Sequence, residues 1–148
     1  MGIHTIIAKV AVRYLGVLFD SKRTFWAQIW QAADRAAATA SFIAPLMANI
    51  GGLRPAKRGL LMTSVESVLL YGAEIWAGVL RFEKYRRRLA AVQRRCALRV
   101  ACSYRTVAEP AVLVIAGMLP IDLLAVERKQ VYEAKRSGQD RVDAKRVT

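Results

Sequence analysis

The sequence predicts a mainly helical protein, with a short N-terminal β-hairpin followed by a bundle of about five helices, three long and two short. Residues 3–19 are rich in Ile, Val, Tyr and Thr, which is typical of strands. In the segments that follow, apolar residues recur every three or four positions, which is typical of helices. With 148 residues, 55% of them hydrophobic, the chain has the length of one domain and enough apolar side chains for a core.

The hairpin and the first long helix are predicted from two neighbouring patterns. Apolar and polar residues alternate roughly through residues 9–14, and a polar turn follows at 20–24. Thr24 is a suitable N-cap for a helix whose apolar face begins at Phe25 and continues through several alanines to Met47. Trp26 and Trp30 add a second apolar ridge. We predict that this ridge is buried, with stacking on nucleic-acid bases as the alternative.

The second long helix is bounded by glycine and proline. Asn49–Gly52 should end the first helix, and Pro55 suits the first turn of the next. We predict one helix through to Val79, with Gly72 allowing a neighbour to pack close to its backbone. Its apolar stripe consists of Leu61, Val65, Val68, Leu69, Gly72, Trp76 and Val79.

The segment Arg81–Arg105 carries eight of the thirteen net positive charges of the chain, nine basic residues against the single acid Glu83. As a helix at about 100° per residue, it has one narrow apolar seam and an opposite basic face. The predicted seam consists of Tyr85, Leu89, Val92, Cys96 and Val100. The predicted nucleic-acid contacts are Lys84, Arg87, Arg88, Arg94, Arg95 and Arg99, with Arg105 just beyond them.

This basic face favours an anionic partner over simple solvation. Like charges three or four positions apart repel one another, and almost no acids are interspersed. Arginine also suits bidentate recognition of phosphate. We therefore predict nucleic acid first, with a solvated face and an anionic membrane surface as alternatives.

The rest of the chain predicts two shorter helices and a tail. Residues 106–109 match the T-x-x-E capping box of a short helix that should end at Gly117. Pro120 opens the last helix, and we expect a charged, disordered tail over residues 135–148. The predicted domains are thus a hairpin at 1–20, a helical domain at 21–134 and the tail.

The residue inventory predicts neither catalysis nor a metal site. His4 is the single histidine, and no Cys/His cluster or catalytic triad spacing occurs. Cys96 and Cys102 are too few for a disulfide scaffold, so a reduced, intracellular chain is expected. We predict no catalytic residue, no metal ligand and no cofactor on this chain.

Several ordered motifs resemble the reverse transcriptases of non-LTR (LINE-type) retrotransposons, most closely the arthropod elements that insert into ribosomal DNA or telomeric repeats. The motifs are YLGV at 14–17 with Asp20 and Phe25, SVLLYGA at 67–73 with Trp76, VQRRCALRV at 92–100 followed by YRTV at 104–107, IAG at 115–117 and PIDLL at 120–124 with Glu127-Arg128. Together they span about residues 13–132, nearly the whole ordered chain.

The resemblance implies a fragment of an RNA-directed DNA polymerase, namely the end of the palm followed by the thumb and connector. Tyr14, Leu15 and Gly16 would be primer-grip positions, with an ordinary edge hairpin as the alternative. The implied partners are RNA and DNA, as template–primer duplex or element RNA, and the missing palm and endonuclease parts. The implied location is the nucleus.

The family's paired aspartates do not precede Tyr14, so we expect this chain alone to be inactive, with Mg²⁺ bound only by the missing palm. A second reading remains open, a free-standing basic helical protein that binds nucleic acid or another partner. A membrane-surface protein is the weakest alternative, because the apolar seam is narrow and suits a helical neighbour.

Overall fold

The computed structural model describes the backbone of residues 11–47 and 54–146, with the side chains of all these residues except 55 and 139–146. It confirms the predicted fold class, a mainly helical chain that begins with a two-stranded hairpin. The elements are β1 (Ala11–Tyr14), β2 (Val17–Asp20), α1 (Trp26–Ile43), α2 (Pro55–Leu69), α3 (Ala73–Trp76), α4 (Glu83–Ala101), α5 (Glu109–Ala116) and α6 (Ile121–Arg146), with short 3-10 helices at Ala44–Met47 and Ala77–Arg81. The predictions for residues 3–10, for His4 and for the helix end at Asn49–Gly52 lie outside the described residues.

The hairpin turns through two residues, Leu15 and Gly16, whose φ angles are +48° and +86°. Positive φ at both positions matches the tight turns that join antiparallel strands, here with Tyr14 opposite Val17. Tyr71 holds this turn: its hydroxyl donates to the Leu15 carbonyl at 2.8 Å. A Cβ on Gly16 would lie 2.9 Å from the Tyr71 ring, so the turn packs directly against Tyr71, just after the end of α2.

Asp20 joins the hairpin to α1. Its carboxylate accepts hydrogen bonds from the Thr24 amide (3.0 Å), the Thr24 hydroxyl (2.7 Å) and the Phe25 amide (2.9 Å). Partial burial acts to raise the pKa of Asp20, but these hydrogen bonds outweigh it and hold that pKa below its usual value. The predicted cap, Thr24, accepts a long 3.4 Å bond from the Trp26 amide, so Asp20 is the main anchor of this helix start.

The prediction of one helix from Pro55 to Val79 is wrong, because the chain breaks between α2 and α3. Gly72 has φ +70° and stands immediately before α3. The predicted close packing of Gly72 is confirmed, since an added Cβ would lie 2.6 Å from Cγ2 of Val17. The break turns Trp76 into the interior, where its indole donates to the Tyr71 carbonyl at 2.8 Å.

The main core lies between α1, α2 and α4, and α3 and α6 close it from the side. The predicted apolar face of α1 is confirmed from Phe25 to Met47, and its alanines allow the neighbouring helices to approach closely. A smaller cluster joins α5 to α4 through Ala97, Val112 and Leu113. The largest fully buried side chains are Trp76, Ile29, Met62, Leu69, Leu89 and Ile121.

The last two helices differ from prediction at their starts and ends. Gly117 ends α5 with φ +68°, as predicted, but no side chain caps its start at Glu109. Thr106 cannot form the predicted capping box because it lies in a turn closed by the bond from the Val107 amide to the Tyr104 carbonyl at 3.1 Å. The backbone of α6 continues to Arg146 through the region expected to be a disordered tail, since that run lacks proline and is rich in helix-forming residues. The predicted domain boundaries stay predictions.

Within the described ranges no single helix is long and apolar enough to cross a bilayer. Two bent pairs meet the length and composition test together, residues 56–69 with 73–81 and residues 109–116 with 121–138.

Candidate nucleic-acid interface

Helix α4 provides the basic face that the sequence predicted, over a shorter span. It runs from Glu83 to Ala101, with Arg81 in the preceding 3-10 helix and Arg105 in the loop that follows. All five residues of the predicted seam are buried, so the seam packs against the core and the basic side chains are directed outward. At the end of α4, Cys102 takes the left-handed conformation (φ +51°), and the Ser103 amide closes the turn on the Leu98 carbonyl at 3.0 Å.

The two cysteines are both free and differ in environment. Cys96 lies in the seam, where burial raises the pKa of its thiol to about 11. This thiol is therefore neutral at physiological pH and unsuited to nucleophilic chemistry. Cys102 is exposed, and its sulfur accepts a contact from Arg58, a buried arginine of α2.

The basic residues in the N-terminal half of α4 have partners within the chain. Arg87 forms an ion pair with Glu83 at 2.7 Å, and Arg88 forms one with Asp34 of α1. Arg86, which is outside the predicted basic face, donates to the Leu80 carbonyl at 3.2 Å. The charge of this half is thus largely matched by internal acids, carbonyls and aromatic rings.

Those aromatic rings belong to the tryptophan ridge of α1. Trp26 and Trp30 stack with their ring centroids 3.8 Å apart. The amine of Lys84 lies 4.7 Å from the Trp26 ring, and the Arg88 guanidinium lies 5.2 Å from the Trp30 ring. The prediction of a buried ridge holds only for part of it. Trp30 is half-buried against the core, whereas Trp26 is 41% exposed, and the two cations lie beside their rings.

The C-terminal half of α4 lies beside a groove of about 670 Å³. One wall comes from the end of α1 and its 3-10 extension, and the other from α4 and residues 102–105. Four arginines line it, Arg94, Arg95, Arg99 and Arg105, and none of its described lining residues is acidic. We call it the arginine groove.

One of the four arginines of this groove, Arg94, is hydrogen-bonded to backbone carbonyls, and the other three have no such bond among the described residues. One guanidinium nitrogen of Arg94 donates to the carbonyls of Arg105 (2.6 Å) and Val107 (3.0 Å) and so fixes the loop after α4. Within the described backbone and side chains, no hydrogen bond or ion pair engages the guanidinium groups of Arg95, Arg99 or Arg105. These three cations are positioned by the fold but not neutralised by it.

Two further grooves carry mixed charge. The groove on the other side of α4 also contains arginines, but Glu83, Glu109 and Asp122 line it as well. The groove between the 3-10 helix Ala77–Arg81 and α6 combines basic and acidic side chains, namely Arg81, Arg86, Lys129, Asp122 and Glu133. Both therefore favour anions less than the arginine groove does.

The predicted primer-grip residues lie at the turn of the hairpin. Tyr14 is 66% exposed and Leu15 is 76% exposed, whereas Gly16 is half-buried under Tyr71. The requirement for glycine at position 16 thus has a structural cause, and the two larger residues are accessible. Their contact with a primer stays a prediction.

The part of the chain that the structure describes contains no group of three or more His, Cys, Asp or Glu side chains able to hold a metal ion. Among the described carboxyls, Glu66 is the one whose pKa is raised, chiefly by burial, against the opposing effects of Gln93 and Arg128. The expectation that no cofactor binds this chain stays a prediction.

Sequence reasoning missed Arg58 and the α1 wall of the arginine groove. A signal for Arg58 was available, because it falls one turn before Met62 on the buried stripe of α2, where an arginine needs a partner. The α1 wall, from Ala37 to Met47, carries no charge and could be identified only from the packing of α1 against α4.

Hydrogen bonds connect the motifs that carry the family resemblance. Besides the contact of Tyr71 with Leu15, the buried Gln93 donates to the Leu119 carbonyl at 2.6 Å and accepts from the Ile121 amide at 2.9 Å. Arg128 donates to the Leu70 carbonyl at 3.4 Å. Much of the motif pattern is therefore explained by the fold.

Comparison with known proteins agrees with this resemblance. The chain is 29% identical over 150 residues to the retrovirus-related Pol polyprotein from type-1 retrotransposable element R1 of Nasonia vitripennis. The match covers 90% of this chain but 40% of that polyprotein, so the chain spans less than half the length of its relative. No protein-family model and no solved structure matches the chain. The match supports an origin related to non-LTR retrotransposons.

Proposed function

We propose that this chain is a nucleic-acid-binding, thumb-like part of a non-LTR retrotransposon reverse transcriptase, and that it holds the template–primer through the arginine groove. The observation that carries the proposal is the convergence of Arg95, Arg99 and Arg105 on a groove without a described acid. The likeness to the R1 polyprotein supports the polymerase context. We assign no chemical step to residues of this chain.

The charge of the groove is the physical basis of the proposal. Unneutralised guanidinium groups repel one another at close range, and phosphates relieve that repulsion while accepting paired hydrogen bonds. Such contacts position a nucleic acid without reading its sequence. That behaviour suits a polymerase, which must hold whatever template it copies.

Other parts of the chain are assigned more modest roles in this proposal. Lys84, Arg87 and Arg88, the remaining predicted contacts, have internal partners and add general positive charge. Tyr14 and Leu15 at the hairpin turn face the primer end. The palm and endonuclease parts of the polyprotein, working in the nucleus, supply the chemistry and its Mg²⁺.

Salt dependence of binding tests the proposal. The association constant of the chain for an RNA–DNA hybrid should be measured over a range of NaCl concentrations. Release of about one counterion per phosphate contact predicts a log–log slope between about −5 and −7 for roughly six to eight contacts. Two hybrids of unrelated sequence should give the same affinity, and a slope near zero would overturn the proposal.

A further inference from the structure

We infer that the arginine groove takes an unpaired strand of nucleic acid, namely the single-stranded template next to the duplex, and that Tyr104 stacks on one of its bases. The inference rests on the proposed function and specifies its ligand. Three features carry it: the concave shape of the groove, its apolar walls and the exposure of Tyr104.

The shape of the groove favours a thin ligand. Its arginines line a hollow of about 670 Å³ between α1 and α4, within the ~300–1,000 Å³ typical of pockets for small ligands. A hollow of this size accommodates one or two nucleotides. A duplex is a wide, convex cylinder with its phosphates on the outside, so it can lie against the arginines at the rim of such a hollow but cannot fill it. An unpaired strand can, because its backbone is flexible and only one nucleotide wide.

The walls of the groove favour bases that are not already stacked in a duplex. Beside the four arginines, the lining includes the half-buried Ala37, Ala40 and Leu98. A duplex hides the faces of its bases and presents mainly phosphate and sugar, so these apolar groups would gain little from it. An unpaired strand exposes its base faces, which can lie against apolar side chains while the phosphates meet the arginines.

Tyr104 supplies an aromatic surface at the edge of the groove. It lies in the chain between Ser103 and Arg105, which both line the groove, and it is 86% exposed. The backbone around it is fixed, since the Tyr104 carbonyl accepts the Val107 amide at 3.1 Å and Arg94 holds the Arg105 carbonyl at 2.6 Å. An exposed aromatic ring beside a phosphate-binding cation is the usual arrangement for binding single strands.

The experiment compares three ligands at one salt concentration, using the full chain. The first ligand is an unpaired strand of roughly 12 nucleotides, a length within the ~4–16 nucleotides typical of single-strand sites. The second is a blunt RNA–DNA hybrid of equal length, and the third is that hybrid with an unpaired template extension. The unpaired strand is tested as RNA and as DNA. We expect the extension to tighten binding by about tenfold over the blunt hybrid, the gain from roughly one stacked base.

Variants separate stacking from charge. Tyr104→Ala should weaken binding of the unpaired strand and of the extended hybrid by about tenfold, the gain assigned to one stacked base, and change blunt-hybrid binding less than about twofold. Tyr132→Ala, at another exposed tyrosine (51%) on α6, is the matched control and should change neither. Circular dichroism checks that each variant is folded.

The outcomes distinguish this inference from the proposed function. Salt-dependent binding of blunt and extended hybrids with equal affinity, unaffected by Tyr104→Ala, would overturn the inference and leave the proposed function standing. Salt-independent binding of every ligand would overturn both. A preference for the extension that disappears in Tyr104→Ala supports both.

Discussion

The two halves of α4 carry similar positive charge in different surroundings. In the N-terminal half, Arg87 and Arg88 are paired with Glu83 and Asp34, and Lys84 lies over Trp26. In the C-terminal half, Arg95 and Arg99 line the arginine groove without a partner among the described side chains. One half uses its charge to hold α1 against α4, and the other keeps it available.

This difference shows that a run of basic residues does not have one function. Exposed ion pairs contribute little to stability, about 0.2–1 kcal/mol each, so the N-terminal half gains mainly orientation from its partners. In the C-terminal half, Arg95 and Arg99 make no ion pair with the described side chains, and they gain most when an external anion arrives. Under the proposed function, phosphate affinity is therefore concentrated at one end of a helix whose sequence is basic throughout.

The largest expected effect on stability concerns the C-terminal half of α4, where the inner side, with the buried Gln93, is compared with the outer side, with the exposed Arg95. Gln93→Leu leaves the Leu119 carbonyl and the Ile121 amide without their hydrogen bonds. Each lost partner costs about 1–3 kcal/mol, so the free energy of unfolding should fall by about 2–6 kcal/mol in urea titration. Arg95→Gln, two residues away on the outer side, should change it by less than about 0.5 kcal/mol. Equal losses in the two variants would contradict the division.

A smaller effect concerns Glu66, whose neighbour on the inner side is Gln93. Because burial raises the pKa of Glu66 above 4.5, the folded chain binds the proton more tightly than the unfolded chain does. Stability is therefore lost as pH rises through the folded pKa and is regained on acidification toward 4.5. Glu66→Gln should be more stable than wild type at pH 7 and should lack this pH dependence, as measured by urea titration from pH 4.5 to 8. A steeper dependence in the variant would contradict the assignment.

The smallest expected effect tests the N-terminal half. A double-mutant cycle with Asp34→Asn and Arg88→Gln should give a coupling of about 0.2–1 kcal/mol in thermal unfolding, because the two side chains are 65% and 38% exposed. Releasing Arg88 by Asp34→Asn should change nucleic-acid affinity less than about threefold at physiological salt, where distant charges are screened. A large gain in affinity would mean that Arg88 also reaches phosphate.

The sequence predicted the elements well where one periodic pattern decided them. The apolar face of α1 and the buried seam of α4 follow from apolar spacing alone, since each helix has one face against the core. The hairpin follows from strand-forming residues in rough alternation, although β1 buries none of its side chains. The break at Gly72 did not follow, because the apolar stripe continues through it. Only the contact between Val17 and Gly72, distant in sequence, shows why the chain must turn there.

The candidate site was predicted in composition but not in shape. Periodicity placed Arg88 and Arg95 on the same basic face, yet Arg88 pairs with Asp34 of α1 and Arg95 lines the arginine groove, and both facts depend on how α1 packs against α4. Arg94 donates its hydrogen bonds to the carbonyls of residues 105 and 107. These residues lie beyond the end of α4, so helix periodicity does not predict the contacts. Tertiary contacts therefore decide which arginines are available.

The most direct test of this account compares two charge-matched variants. One replaces Arg95, Arg99 and Arg105 with glutamine, and the other replaces Lys84, Arg87 and Arg88, so each removes three positive charges. Affinity for a template–primer with an unpaired extension is measured against NaCl concentration. The groove variant should bind about 100- to 1,000-fold more weakly near 0.1 M salt, with a log–log slope shallower by about 2.7, whereas the other should lose less than about fivefold. Equal losses would contradict the account, because they would show that total charge, and not the groove, determines binding.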